Sequence, residues 1–251
     1  MLSASRAVTT QEGQFASTRW TVIRSAAESH APTQQSLNAL SELCAIYWQP
    51  VYLFLRRQGS SPHDAQDLSQ SFFADLIESR TYARADERKG RFRSFLLGTL
   101  KHFLADARDR ERAQKRGGGL TLLPLDETAI AQAEAHAVRS EGWSADRLYE
   151  REWAAALLRQ VMDRLQQESQ LAGKGALFAE LRSHLGGGPD GAVRYEELAA
   201  RLGRPAATLR SDVARLRARY RTILREEVRG TVTEAENVDE ELQHLRQVMA
   251  A

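Results

Sequence analysis

Residues 195–221 constrain the fold of this 251-residue chain more tightly than any other stretch. Tyr195-Glu196-Glu197-Leu198-Ala199-Ala200-Arg201-Leu202 puts Leu198, Ala199 and Leu202 on one helical stripe. Gly203 is free to take the positive φ that closes such a helix, and Pro205 suits the opening of another. From Ala206 onward Leu209, Val213 and Leu216 fall at i, i+4 and i+7, a seam that must be buried, and Thr208, Arg210, Ser211, Arg215 and Arg217 are left mostly facing out. Arginine recurs at 210, 215, 217, 219 and 221. The pattern is that of a helix-turn-helix with a basic second helix, which fits a DNA major groove: arginine pairs bidentately with guanine, and phosphates take the other cations. An amphipathic helical hairpin whose arginines form a solvated face fits the same residues.

The formal net charge is only +2, but the charges are segregated. From Arg201 to Arg229 there are nine arginines against Asp212, Glu226 and Glu227. From Gly230 to Ala251, Glu234, Glu236, Asp239, Glu240 and Glu241 stand against Arg246 alone. A cationic module followed by an acidic tail suits a polyanionic partner bound in a salt-dependent way. A hydrophobic share of 42% supports one large or two small domains. With Cys44 as the single cysteine an internal disulfide is excluded, and the start of the chain has no long apolar run, so a reducing cytoplasm and no membrane are expected. Cys44 lies in the apolar stretch Leu40 to Leu55 and is read as a packing residue rather than a redox sensor.

Helical periodicity marks residues 18–28, 36–57, 62–79, 91–115, 146–168, 173–185, 195–202 and 206–228, and no stretch sustains strand alternation. The fold class is therefore all-α. Gly117-Gly118-Gly119 through about Arg147, with Pro124 and acidic residues replacing a sustained apolar stripe, reads as an interdomain linker with some helix from Ile130 to Arg139. Gly186-Gly187-Gly188-Pro189-Asp190-Gly191 reads as a loop within the second block. There is no internal repeat.

In the first block Ser61 is a capping residue and Pro62 opens a helix in which Leu68, Phe72 and Leu76 face the core and Asp64, Asp67, Gln70 and Asp75 form an acidic, polar side. That side is either an interface or a solvated face. Next come Arg88-Lys89-Gly90-Arg91-Phe92-Arg93-Ser94-Phe95-Leu96 and a helix ending in Arg108, Arg110, Arg112, Lys115 and Arg116. Aromatics interleaved with cations suit single-stranded or distorted DNA, where rings stack on bases. The same rings serve a core, and at least two of Phe92, Phe95 and Phe103 are expected inside.

Trp48-Gln49-Pro50-Val51-Tyr52, Asp64-Ala65-Gln66-Asp67-Leu68-Ser69-Gln70-Ser71-Phe72, Phe92-Arg93-Ser94-Phe95-Leu96 and the terminal Tyr195-Glu196-Glu197-Leu198-Ala199 helix-turn-helix occur in this order. The ordered set resembles an extracytoplasmic-function sigma factor of bacterial RNA polymerase, over about residues 36–116 and 148–228. The resemblance implies an N-terminal arm (1–35), a helical domain (36–116) that binds the clamp of the largest polymerase subunit and opens the minus-ten element, a flexible linker (117–147), a domain (148–229) that reads the minus-thirty-five element and touches the flap, and an acidic extension (230–251). Asp64, Asp67, Leu68, Gln70 and Phe72 match the polymerase-binding helix of that family. Phe92, Arg93, Phe95, Lys101 and His102 match its strand-opening segment, and Thr208, Arg210, Ser211, Arg215 and Arg217 its major-groove helix. None of these does bond-breaking chemistry, so no enzyme and no cofactor is implied. An anti-sigma factor or a kinase upstream is left open.

The chain departs from the family pattern at Ser71, where glutamate is usual, and at His102, where asparagine is frequent. It also carries flanks resembling an enlarged branch of the family: an arm containing Thr18-Arg19-Trp20-Thr21-Val22-Ile23, and a tail with Val238, Leu242, Leu245 and Val248 at helical spacing. That tail either folds back on the cationic helix and restrains DNA binding or caps the second domain. The histidines at 30, 63, 102, 136, 184 and 244 form no close pair, so a metal site is not expected, and the two glycine triplets lack the context of a phosphate loop. Trp20, Trp48, Trp143 and Trp153 are read as core fillers. Two other readings remain: a free-standing helix-turn-helix regulator, which should dimerise on paired half-sites, and a helical adaptor whose basic helix docks an acidic protein.

Overall fold

A computed structural model describes residues 20, 23, 27, 34–113, 127–140, 142–185, 195–232 and 237–250. Among the described residues the regular structure is helical throughout: α1 (Gln34–Arg57), α2 (Pro62–Glu78), α3 (Phe92–Ala113), α4 (Glu127–Arg139), α5 (Ala145–Leu171), α6 (Gly175–Leu181), α7 (Tyr195–Leu202), α8 (Ala206–Thr231) and α9 (Asn237–Ala250), with short 3-10 turns at Thr81–Arg84, Glu87–Lys89 and Arg182–His184. The described residues form an all-α fold, as the periodicity predicts. Of the stretch expected to be helical at 18–28, Trp20, Ile23 and Ala27 are described and helical. Both glycine triplets and Pro124 lie outside the described residues.

Two helices organise the rest. In α1 the five consecutive residues Val51 to Leu55 are all buried, so this part of the helix has no solvent face. It is covered by α5, by α2 and, along its last turns, by α4. Such a run is apolar all round because it must be, and periodicity gives way to uniform burial. The second organiser is α5, whose 27 residues reach about 40 Å at 1.5 Å each. Its first half gives Leu148, Tyr149, Trp153, Ala154 and Leu157 to the cluster around α1, and its second half gives Val161 and Leu165 to a smaller cluster with Phe178 and Ile223. A third cluster joins Leu181, Leu198, Leu209 and Val213.

The helix ends follow their sequence signals. Ser61 Oγ accepts from Asp64 N at 3.1 Å and Pro62 occupies the first turn of α2. Ser144 Oγ accepts from Arg147 N at 3.2 Å at the start of α5. Cys44 is buried in α1, and desolvation pushes its thiol up to about 12. Trp20 and Trp153 are buried, while Trp48 and Trp143 are half-buried, the latter under the guanidinium groups of Arg147 at 4.4 Å and Arg151 at 4.9 Å.

The stretch 117–147 contains more order than a linker requires. Helix α4 begins three residues before Ile130 and packs on α1 through Ala133, which is fully buried. Glu134 accepts from Arg56 Nε at 2.6 Å, from Arg56 Nη2 at 2.8 Å and from the Tyr52 hydroxyl at 2.6 Å. Arg57 donates to the carbonyls of Ala137, at 3.3 Å, and Ser140. Residues 230–251 likewise include a docked helix, α9, which lies against α5 and α8 and inserts Val238, Leu242 and Leu245 into the main cluster.

Candidate nucleic-acid interface

The geometry between α7 and α8 starts from Gly203, whose φ of +61° is open to glycine and strained for other residues. Arg204 N donates to Ala199 O at 3.2 Å, and Pro205, with extended backbone, passes the chain into α8, where Thr208 N and Leu209 N donate to Pro205 O at 3.0 and 3.2 Å. Leu198, Leu209 and Val213 are buried together and Leu216 is half-buried beside them. Burying that seam forces the opposite side outward: Thr208, Arg210, Ser211 and Arg215 are exposed.

These side chains have internal partners that water or phosphate can replace. Arg210 reaches Glu196 at 2.7 Å and stacks 5.2 Å from the Tyr195 ring, and Arg215, itself exposed, reaches the largely buried Asp212 at 2.5 Å. Arg217 differs from the sequence expectation. It is half-buried and donates to the carbonyl of His184 at 2.8 Å, tying α8 to the Arg182–His184 turn, because its place one turn beyond Val213 lies at the edge of the buried seam. Two residues further on, Arg219 forks onto Glu168 of α5 at 2.6 Å for both contacts and holds that carboxyl below its ordinary value.

On α2, Asp64, Asp67, Ser71 and Asp75 are exposed and Gln70 is half-buried. Asp64 accepts from Ser61 Oγ at 2.6 Å and Asp67 lies 3.3 Å from His63. Leu68 is half-buried and Phe72 is fully inside, edge-on to Phe103 at 5.6 Å. The polar members of the expected polymerase-binding set therefore share one accessible face, and Phe72 supports that face from below.

The segment expected to meet opened DNA is largely enclosed. Phe92 is 2% exposed, with the Trp20 and Tyr47 rings each 5.8 Å away in edge contacts. Phe95 and Phe103 are half-buried. Arg93 is 3% exposed: its guanidinium sits 4.2 Å over the Trp153 ring, contacts Glu150 at 2.8 Å and pairs with Glu241 of α9. The Glu241 carboxylate is fully buried and also pairs with Arg91, at ion-pair distance without hydrogen-bond alignment on Oε2. His244 of α9 lies 3.1 Å from Glu150, and Tyr149 donates to Arg93 O at 3.1 Å. Lys101 and His102 stay at the surface, Lys101 paired with Asp146 at 2.7 Å. Sequence reading missed the Arg91–Arg93–Glu241 cluster. Its only signal was the excess of acid after Gly230, and Arg93 and Glu241 are separated by 148 positions.

Among the described residues no group of three or more His, Cys, Asp or Glu is arranged to hold a metal ion, and no helix is long and apolar enough to cross a membrane. Compared with family models, curated proteins and solved structures, the chain finds no match.

Proposed function

We propose that the chain is a promoter-specificity subunit of RNA polymerase, acting as sigma factors do: α7 and α8 form a helix-turn-helix that reads duplex promoter DNA, and the polar face of α2 docks on polymerase core. The observation that carries this reading is the outward set Thr208, Arg210, Ser211 and Arg215 at the start of α8, held over a buried Leu198–Leu209–Val213 seam by a glycine turn. A helix presented this way offers its N-terminal turns to base edges and its arginines to phosphates. The accessible row Asp64, Asp67, Gln70 and Ser71 supports the second half of the reading, since it is a polar face free of the core contacts that occupy Phe72, Phe73 and Leu76.

In this reading the halves α1–α3 and α5–α8 are the two functional domains, and Phe92, Arg93, Phe95, Lys101 and His102 capture bases as the duplex opens. The work of opening comes from new stacking and phosphate contacts, so no cofactor and no bond-breaking step is involved. The test is the affinity of fluorescently labelled protein for purified polymerase core. Replacing Asp67 and Gln70 by alanine is expected to weaken binding at least tenfold while leaving the thermal melt unchanged. Equal binding by both proteins, or a dimer that holds duplex DNA tightly without core, would refute it and favour a free-standing regulator. Salt-independent indifference to DNA and core alike would favour an adaptor.

A further inference from the structure

We propose that α9 is an intramolecular latch that occupies, with its own carboxylates, arginines that nucleic acid must reach. The inference rests on the promoter-specificity reading and adds a mode of regulation to the same site. Its starting point is chemical. Glu241 presents a carboxylate to Arg91 and Arg93, the cations that flank Phe92, and on the exposed opposite side of α9 Asp239 pairs with Arg225 of α8 at 2.5 Å. A carboxylate between two guanidinium groups makes the same charge-assisted bonds as a backbone phosphate, so α9 and a DNA strand compete for one set of donors.

The energetics favour a contact that can open. Desolvating Glu241 and Arg93 costs much of what their attraction returns, and an apolar pair of similar volume would hold α9 at least as firmly. Charges at this position therefore contribute exchangeability more than stability. Helix α9 has only 14 residues, near the lower limit at which a helix persists alone, so its order depends on docking through Val238, Leu242 and Leu245. Releasing it frees Arg91 and Arg93 from Glu241 in one step and leaves Arg93 on Glu150 and the Trp153 ring. The remaining ties are of the same replaceable kind: His244 to Glu150, and Arg151 to the carbonyls of Val248 and Met249 at 3.3 and 3.2 Å. Phe92 itself is enclosed by Trp20 and Tyr47 and not by α9, so the latch acts on the two arginines beside it.

The experiment uses the full chain and a fluorescein-labelled single-stranded DNA 20-mer, followed by anisotropy across a salt series. Variant D239N/E241Q keeps side-chain volume and removes the two charges. It is expected to bind roughly tenfold tighter than wild type at low salt, with the slope of log affinity against log salt steeper by about 1.4, at about 0.7 for each of two new phosphate contacts on a single strand. Hydrogen exchange on the wild type gives a reading that needs no variant: amides of 237–250 are expected to lose protection when the 20-mer is bound. Unchanged affinity in the variant, or α9 protection that ignores bound DNA, overturns the latch and makes α9 a cap. Absence of binding by both proteins also overturns it, and leaves the promoter-specificity reading to be judged by the core-affinity test of Asp67 and Gln70.

Discussion

Glu134 shows what single residues contribute here, because three donors from α1 converge on one carboxylate. The hydrogen bond from Arg56 holds its pKa below the ordinary 4.5. A carboxylate with a depressed folded-state pKa adds stability that is fully present above the unfolded value and is lost as pH falls through the folded one. The urea midpoint of wild type should therefore exceed that of E134Q at pH 7, with the gap closing as pH drops below about 4.5. A gap of constant size from pH 7 to pH 3 would show that charge at Glu134 does not matter. At this scale the sequence was informative wherever local spacing decides: the Ser61 cap, Gly203 and the outward arginines follow from neighbours within a turn. Arg93 and Arg217 were not legible, since their partners Glu241 and His184 are distant in sequence and an arginine's own neighbours do not reveal whether its long stem turns inward.

At the scale of elements, the start of α8 divides into a buried seam of Leu209 and Val213 and an outward side with Arg210 and Arg215, and the two should respond differently to substitution. Truncating the fully buried Leu209 to alanine should cost about 2–5 kcal/mol, measured by urea unfolding, from lost burial plus the cavity left behind. R210A/R215A should change stability by less than about 1 kcal/mol, because both arginines are exposed, the pair with Glu196 is a weak surface pair, and Asp212 keeps Arg204 at 3.8 Å. The same double variant should lower the salt slope of duplex binding by about 1.8, at about 0.9 per lost phosphate contact. A large stability loss in R210A/R215A with an unaltered salt slope would make those arginines structural. Element existence was largely legible, with bounds shifted by at most four residues, because amphipathic spacing and capping are local. Helix α4 was legible only in part: among its described side chains Ala133 alone is fully buried, and what fastens the helix is the tertiary contact of Glu134 with Arg56 and Tyr52. The docking of α9 beside Arg91 and Arg93 depends on the path of α5 and could not be read from the tail alone.

Across the whole molecule, charges that are segregated along the chain are brought together in space. The cationic stretch meets acid from elsewhere through Arg219–Glu168 and Arg225–Asp239, the acidic tail meets Arg91 and Arg93 through Glu241, and Arg164 of α5 takes Glu226 and Glu227. One continuous cluster runs from Trp20 through α1 and α5 to Leu245, and Trp20 Nε1 donates to Thr231 O at 3.2 Å, tying the start of the described chain to the end of α8. This closed arrangement explains how a chain with so many arginines keeps Arg93 and Arg219 occupied while leaving Arg210 and Arg215 at the surface. If it is a polymerase subunit, core must engage α2 and the strand-opening segment must be uncovered before transcription starts. The most direct measurement is runoff transcription from a fragmented genomic library with purified polymerase core, with and without the protein. Discrete new transcripts that disappear with D67A/Q70A are the predicted result; an identical transcript profile in the presence and absence of the protein would contradict the account.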